Sequence, residues 1–473
     1  MPRAEARDVR VEHDLLGDRE IPAAAYWGVH TLRAVENFPI SGRPIGLWPE
    51  LVRALALVKH AAAQTNYELG LLDEAKAKLV IAACREIAAG ALHDQFVVDM
   101  IQGGAGTSTN MNANEVIANR ALELAGRKKG DYAFLHPIEH VNMGQSTNDV
   151  YPTALRLSLR FAIVELIGAM EELKRAFAAK SDEFRDLLKV GRTQLQDAVP
   201  MTLGQEFEAF AVMLGEDIDR IREINLLLCE VNLGGTAIGT GINTHPDYAR
   251  LAVRHLAEIS GKPIVSASNL VEATSDMGAF VLFSGILKRL AVKLSKVAND
   301  LRLLSSGPRT GFGEIHLPPM QPGSSIMPGK VNPVIPEAVN QVAYQVIGND
   351  LAVTMAAEAG QLQLNAMEPL IVYNLLNSTK MLASACTLLE ERCIRGIRAD
   401  REQCAQHVER SIGVITALVP HIGYANSSRI AAQALHSGAT VRELVIGEGL
   451  LSEAELDRLL SPQSMLAPQG SAR

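Results

Sequence analysis

Aromatic residues are scarce. Phe, Trp and Tyr make up 4 % of the 473 positions, and only two are Trp. A core that cannot lean on large rings has to be packed from Leu, Val, Ile, Ala and Met, which suits closely packed helices. Cysteine is scarce too. Cys84, Cys229, Cys386, Cys393 and Cys404 form an odd count with no C-x-x-C spacing. Neither a disulfide framework nor a thiolate metal site is expected, and the five read as small buried hydrophobes. No stretch is long and apolar enough to span a bilayer. The richest, Phe280 to Leu304, is broken by Lys288, Arg289, Lys293, Lys296, Asp300 and Arg302. The first eight residues have no apolar core of a signal peptide, which points to a cytoplasmic protein. Basic charge is in deficit, 45 Lys and Arg against 53 Asp and Glu, a net charge of −8. No basic cluster is interleaved with aromatics. Nucleic acid and membrane are therefore not expected partners.

What the chain does have is apolar and helical. Apolar residues make up 48 % and charged residues 21 %, the balance of a folded chain long enough for two or three domains. Proline is absent from 153–199, 264–307, 337–368 and 370–419. Such stretches fit long helices, because an interior proline costs roughly 3 kcal/mol. Leu51, Leu55, Val58 and Ala62 share one helical face, and Leu287, Leu290, Leu294, Val297 and Leu301 recur in steps of three and four, the seam of a bundle. Segments 153–185 and 280–304 are apolar on more than one face, so each needs neighbours on more than one side. Period-2 alternation is almost absent; Asp8 to His13 is the one short strand expected.

Four polar stretches interrupt this helical text. They are Gln102 to Glu115 (QGGAGTSTNMNANE), Asn142 to Asp149 (NMGQSTND), Gly191 to Pro200 (GRTQLQDAVP), read as a loop between two helices, and Gln321 to Pro333 (QPGSSIMPGKVNP). One such stretch is an ordinary turn or cap. Four in an apolar helical protein suggest loops converging on one polar site.

Familiar sites are missing. The run from Gly323 to Lys330 has five residues between its glycines, where a phosphate loop has four, and Val331 replaces the magnesium-binding hydroxyl. There is no nucleophile elbow, no H-E-x-x-H zinc pair, no dinucleotide fingerprint and no Ala-Ser-Gly triplet for a self-made electrophile. No metal or organic cofactor is indicated. What remains is hydroxyls (Thr107, Ser146, Thr147, Thr193, Ser324, Ser325), amides (Asn148, Gln194, Asn332) and the charge of Lys330. Such a set can clamp two carboxylates and stabilise one that gains a second negative charge when its neighbouring carbon loses a proton. That chemistry is β-elimination from a dicarboxylic acid. Singly, each residue has a plainer explanation: a turn for Ser324, helix capping for Ser146 and Thr147, a solvated surface for Lys330.

The run Gly323 to Asn332, GSSIMPGKVN, resembles the signature of the aspartase/fumarase superfamily. The other three stretches resemble that superfamily's conserved regions in the same order, and the similarity covers essentially the whole chain from Glu12-His-Asp-Leu-Leu-Gly17 onward. Tyr26 to Ala34 (YWGVHTLRA) and Glu358 to Pro369 resemble the aspartase branch. Gln194 stands where class II fumarases place histidine, and Ala105 where they tend to have serine. This resemblance implies an ammonia-lyase converting L-aspartate to fumarate. Ser324 would take the Cβ proton, its oxyanion held by loop N–H groups and Lys330. It implies that Thr107, Ser146, Thr147 and Ser325 hold the β-carboxylate, that Thr193, Lys330 and Asn332 hold the α-carboxylate, that Asn148 lies near the amino group, and that Gln194 belongs to the same substrate-binding set. Gly323 and Gly329 could let the loop close over the substrate.

The expected fold is all-α: an N-terminal helical domain (1–146), a central long-helix bundle (147–399) and a small C-terminal helical domain (400–473) with a frayed tail from Ser461. By the same resemblance the bundle forms the core of a homotetramer, and each site takes loops from three subunits. The competing readings are a class II fumarase and a non-catalytic helical assembly protein.

Overall fold

The computed structural model describes residues 8–466. The readings of residues 1–7 and of the tail beyond 466 lie outside the described residues. In chain order the elements are β1 (Val9–Asp14), β2 (Gly17–Pro22), α1 (Val29–Asn37), α2 (Pro49–Glu68), α3 (Glu74–Ala88), α4 (Thr107–Leu124), α5 (Thr147–Glu183), β3 (Leu188–Thr193), β4 (Gln196–Thr202), α6 (Leu203–Leu227), β5 (Glu230–Val231) and α7 (Tyr248–Ser260). Then come β6 (Val265–Ser266), α8 (Leu270–Ser275), α9 (Gly278–Leu304), β7 (Ile315–His316), α10 (Val334–Glu358), α11 (Glu368–Arg392), β8 (Arg398–Ala399), α12 (Arg401–Arg410), α13 (Val419–Ser437, kinked at Gly423), α14 (Val441–Gly447), α15 (Glu453–Leu459) and α16 (Pro462–Leu466).

The protein is helical, as the proline spacing implies. Among the described residues the strands form four two-stranded ribbons, three antiparallel and one parallel. The strand expected at Asp8 to His13 forms as β1. Two readings need correction. Gly191 to Pro200 is a β-hairpin, β3 against β4, with Thr193 paired to Gln196. Its turn residues, Gln194 (φ 54°) and Leu195 (φ 61°), both lie in the left-handed region, the geometry of a type I′ turn. Neither is the Asn or Gly that announces such a turn, so the sequence hid it. The tail is not frayed from Ser461: α16 packs beside β4.

Contacts divide the chain into two compact units, Met1–Ile167 with Asp219–Arg289 and Tyr344–Leu382, and Gly168–Ile218 with Leu290–Ala343 and Ala383–Arg473. In the first, α2 packs against both α3 and α7, and α4 against α3 and α1. This is why Leu51, Leu55, Val58 and Ala62 are fully buried. Helix α1 has no side-chain cap of its own. Its open N–H groups are taken by two carboxylates from elsewhere: Glu115 accepts from Gly28, His30 and Thr31, and Glu12 from Val29. In the second unit, Phe177 of α5 and Phe184, just beyond its end, meet Phe207 and Phe210 of α6 with ring centroids 5.4–6.1 Å apart. A separate apolar cluster, including Leu418, Ile430, Val445 and Leu456, holds the C-terminal helices. Capping boxes at Thr440/Glu443 and Ser452/Glu455 start α14 and α15. The α9 seam predicted from Leu287, Leu290, Leu294, Val297 and Leu301 is buried throughout. All five cysteines are buried and unpaired.

Candidate active site

The structure gathers the predicted site residues into three groups. Thr107, Ser146, Thr147 and Asn148 stand in the first unit. Thr193 and Gln194 stand at the hairpin tip in the second unit, and Ser324, Ser325, Lys330 and Asn332 in its 321–333 loop.

The first group is built on α4 and α5. The chain enters α4 through Gly106, in the left-handed region at φ 87°. Thr107 opens the helix, and its hydroxyl donates to Gly104 O at 2.7 Å. Helix α5 opens with Thr147, and the segment before it is clamped from below. Lys59 of α2 donates to Asn142 Oδ1 (2.8 Å) and Gln145 Oε1 (2.9 Å). Asn66 donates to Met143 O, and Asn110 and Asn114 of α4 both donate to Asn142 Oδ1. Lys59 is fully buried, and burial pushes its ammonium down to about 7.

Asp149 locks the turn from the other side. Its carboxylate accepts from the backbone N–H groups of Ser146 (2.9 Å), Gly234 (2.9 Å) and Thr236 (3.1 Å). Burial raises its carboxyl to about 6, against the lowering effect of those three donors. Asn148 donates its side-chain amide to Ala237 O at 2.8 Å, which fixes the side chain so that its amide oxygen is the end left to accept. Thr147 Oγ1 accepts from Asn110, and Ser146 Oγ accepts from Asn148 N. Each hydroxyl thus keeps its own proton available to donate outward.

The second group is exposed. Thr193 and Gln194 sit at the end of the hairpin, where consecutive left-handed residues without glycine store backbone strain of about 1–2 kcal/mol each. A bulge at Gly191 shifts the register between Val190 and Arg192.

The third group is a loop with a pinned neck. Gly323 N donates to Lys330 O (2.8 Å), and Asn332 Nδ2 to Gly323 O (2.7 Å). A Cβ on Gly323 would press on the Lys330 carbonyl and the Asn332 amide, so this crossing needs glycine. Within the loop, Ser324 Oγ accepts from the N–H of Ile326 (3.2 Å) and of Met327 (2.9 Å). Ser324 is therefore a turn residue, and the same two donors would hold its oxygen as an anion. Ser325 and Lys330 are exposed.

Motif reading passed over the supporting residues Lys59, Asn110, Asn142, Asp149, Arg192 and Glu314. Asn110, Asn142, Asp149 and Arg192 lie inside the polar stretches singled out above; outside them Lys59 left a signal, a lone lysine in ALALVKHAAA, a segment otherwise almost wholly apolar. Among the described residues no group of three or more His, Cys, Asp or Glu could hold a metal. No helix of the described residues is long and apolar enough to cross a membrane.

A lyase family model matches residues 17–348, and a fumarase C C-terminus model matches residues 414–467. The chain is 64 % identical over 461 residues to an aspartate ammonia-lyase of Pseudomonas aeruginosa, covering 97 % of each. It is 55 % identical over 469 residues to that of Escherichia coli K12, covering 99 % of this chain and 98 % of the other. Among solved structures, a fumarate lyase:delta crystallin of Brucella melitensis superposes with a TM-score of 0.95 at 61 % identity, covering 98 % of this chain and 100 % of the other. A class II fumarase of Schistosoma mansoni superposes at 0.93 with 34 % identity, over 98 % and 100 %. With a lyase model matching well over half of the chain and relatives this similar over nearly their whole length, the chain belongs to the aspartase/fumarase superfamily.

Proposed function

We propose that this protein is an aspartate ammonia-lyase that interconverts L-aspartate with fumarate and ammonia. The observation that carries this reading is near full-length identity of 64 % to an aspartate ammonia-lyase, joined to three groups of hydroxyls and amides of the kind that bind carboxylates. Ser324, as an alkoxide held by the Ile326 and Met327 N–H groups, removes a proton from Cβ. The electron pair moves onto the β-carboxylate, which becomes an aci-carboxylate dianion. Thr107, Ser146, Thr147 and Ser325 donate to that dianion, each contributing roughly 2–4 kcal/mol of transition-state stabilisation. Thr107 must exchange its bond to Gly104 O to do so. Thr193, Lys330 and Asn332 take the α-carboxylate. Asn148 offers its amide oxygen to the amino group, with Gln194 beside the same substrate. The pair then returns to form the carbon–carbon double bond as the carbon–nitrogen bond breaks.

The pinned neck and exposed body of the 321–333 loop support its closing over the substrate as a flap. The same proposal includes a homotetramer whose sites each take the three groups from three subunits. Tyr344, Ile347, Leu351 and Met355 support it: they lie along one face of α10 and are 36–64 % exposed in the single chain. It also includes the three-domain division at 146 and 399, and a cytoplasmic location, in keeping with five unpaired cysteines.

The test is absorbance of fumarate after incubation with L-aspartate or, separately, L-malate. Fumarate from L-aspartate alone is expected. Fumarate from L-malate alone would make the protein a fumarase, and a folded tetramer silent with both would leave the assembly reading.

A further inference from the structure

Glu314 has no role in the chemistry above, yet it is a fully buried carboxylate at the meeting point of three segments of the second unit. Arg192 Nη1 approaches Glu314 Oε1 at 2.7 Å, Lys189 Nζ approaches Oε2 at 3.3 Å, and His407 Nδ1 of α12 lies 2.9 Å from Oε1. Arg192 is the residue before Thr193, and its guanidinium also stacks over Phe312 at 4.2 Å. Lys189 is itself held by Glu206 at 2.7 Å. The main chain at Glu314 is equally tied down, donating to Leu304 O and accepting from Asp400 N. Seven residues on, the 321–333 loop begins.

The underside of the hairpin is hollow. A cavity of about 200 Å³ is lined by Lys189, Arg192, Leu195, Met201, Glu206 and Lys296, among others. Helix α12 packs against β3 and α16 against β4, and on the side of this cavity the charge cluster ties the hairpin to Glu314. Burial would push the Glu314 carboxyl up, but Lys189, His407 and Arg192 more than offset this and hold it below its usual range, so it is ionised. Gln403 Nε2 lies 2.8 Å from His407 Nε2. With the amide as donor there, Nδ1 is left as the donor to Glu314.

We propose that Glu314 and, through it, His407 of α12 are positioning residues for the elimination: they set the hairpin that presents Thr193 and Gln194 and anchor the segment leading into the 321–333 loop. This rests on the reading of those residues as substrate-binding. Because Thr193 is assigned to ground-state binding of the α-carboxylate, loss of His407 acts on KM more than on kcat.

The experiment compares the wild-type tetramer with His407→Phe and His407→Gln, by steady-state kinetics on L-aspartate and by hydrogen exchange of residues 189–202. In His407→Phe the expected result is a rise in KM of about ten-fold or more, the size of a lost charge-assisted hydrogen bond, with kcat within about two-fold and faster exchange in the hairpin. His407→Gln, which keeps a donor, recovers most of both. Combined with Arg192→Lys, the His407→Phe loss is less than additive, because both act through Glu314. Unchanged KM in a folded His407→Phe tetramer overturns the proposal, as does an equal loss in both His407 variants. If His407→Phe fails to assemble, Gln403→Leu on the far side of the imidazole carries the same expectation, and an unchanged KM there overturns it. A wild type inactive on L-aspartate would remove the functional reading instead, while the exchange data would still report whether His407 orders the hairpin.

Discussion

Gly106 and Tyr151 occupy each other's space: a Cβ on Gly106 would overlap the buried ring of Tyr151. The glycine also takes φ 87° to turn the chain into α4, so the entry to Thr107 depends on it twice over. Gly106→Ala is expected to destabilise the fold by about 2–4 kcal/mol, from overpacking plus left-handed strain. The loss should appear as a lower thermal midpoint and reduced turnover.

Lys59 makes stability depend on pH. Burial lowers its ammonium from an ordinary 10.5 to about 7. For a lowered folded value, the contribution is fully present above pH 10.5 and is lost as pH falls toward 7. The amount is on the order of 5 kcal/mol. Unfolding by denaturant between pH 7.5 and 9.5 should show wild-type stability rising with pH, and a shallower rise in Lys59→Met. The same variant removes the Lys59 bonds to Asn142 and Gln145, and a shift of the Ser146 turn by about 1 Å is expected to lower turnover about 100-fold.

Ser324→Ala removes the proposed base and leaves the loop's neck bonds intact. A loss in kcat of about 10²–10⁴-fold is expected, with KM for L-aspartate changed less than about three-fold. A large rise in KM with kcat preserved would assign Ser324 to binding.

Leu351→Glu tests the assembly. Leu351 is 64 % exposed in the single chain and lies centrally on the apolar face of α10. A carboxylate buried at a subunit interface without a partner costs several kcal/mol. Sedimentation should show the tetramer giving way to smaller species, and activity should fall with the tetramer fraction. A catalytically active tetramer of Leu351→Glu would mean that this face is not the interface.

Much of this was legible before the fold. The proline-free stretches became α5, α9, α10 and α11, and the Leu287 to Leu301 seam is buried, because helical periodicity and proline's missing N–H act locally. The hairpin was not legible. Gln194 and Leu195 favour no left-handed turn, so tertiary ties such as Arg192 to Glu314 impose one.

The sequence by itself determined the helical class and the family, and it named the candidate polar residues, since a ten-residue signature and hydroxyl-bearing polar stretches are local facts. Only the tertiary structure decided what holds those residues. Lys59, Asp149 and Glu314 are far in sequence from most of the groups they bind, and a buried charge acquires its partners only when the chain folds and excludes water from them.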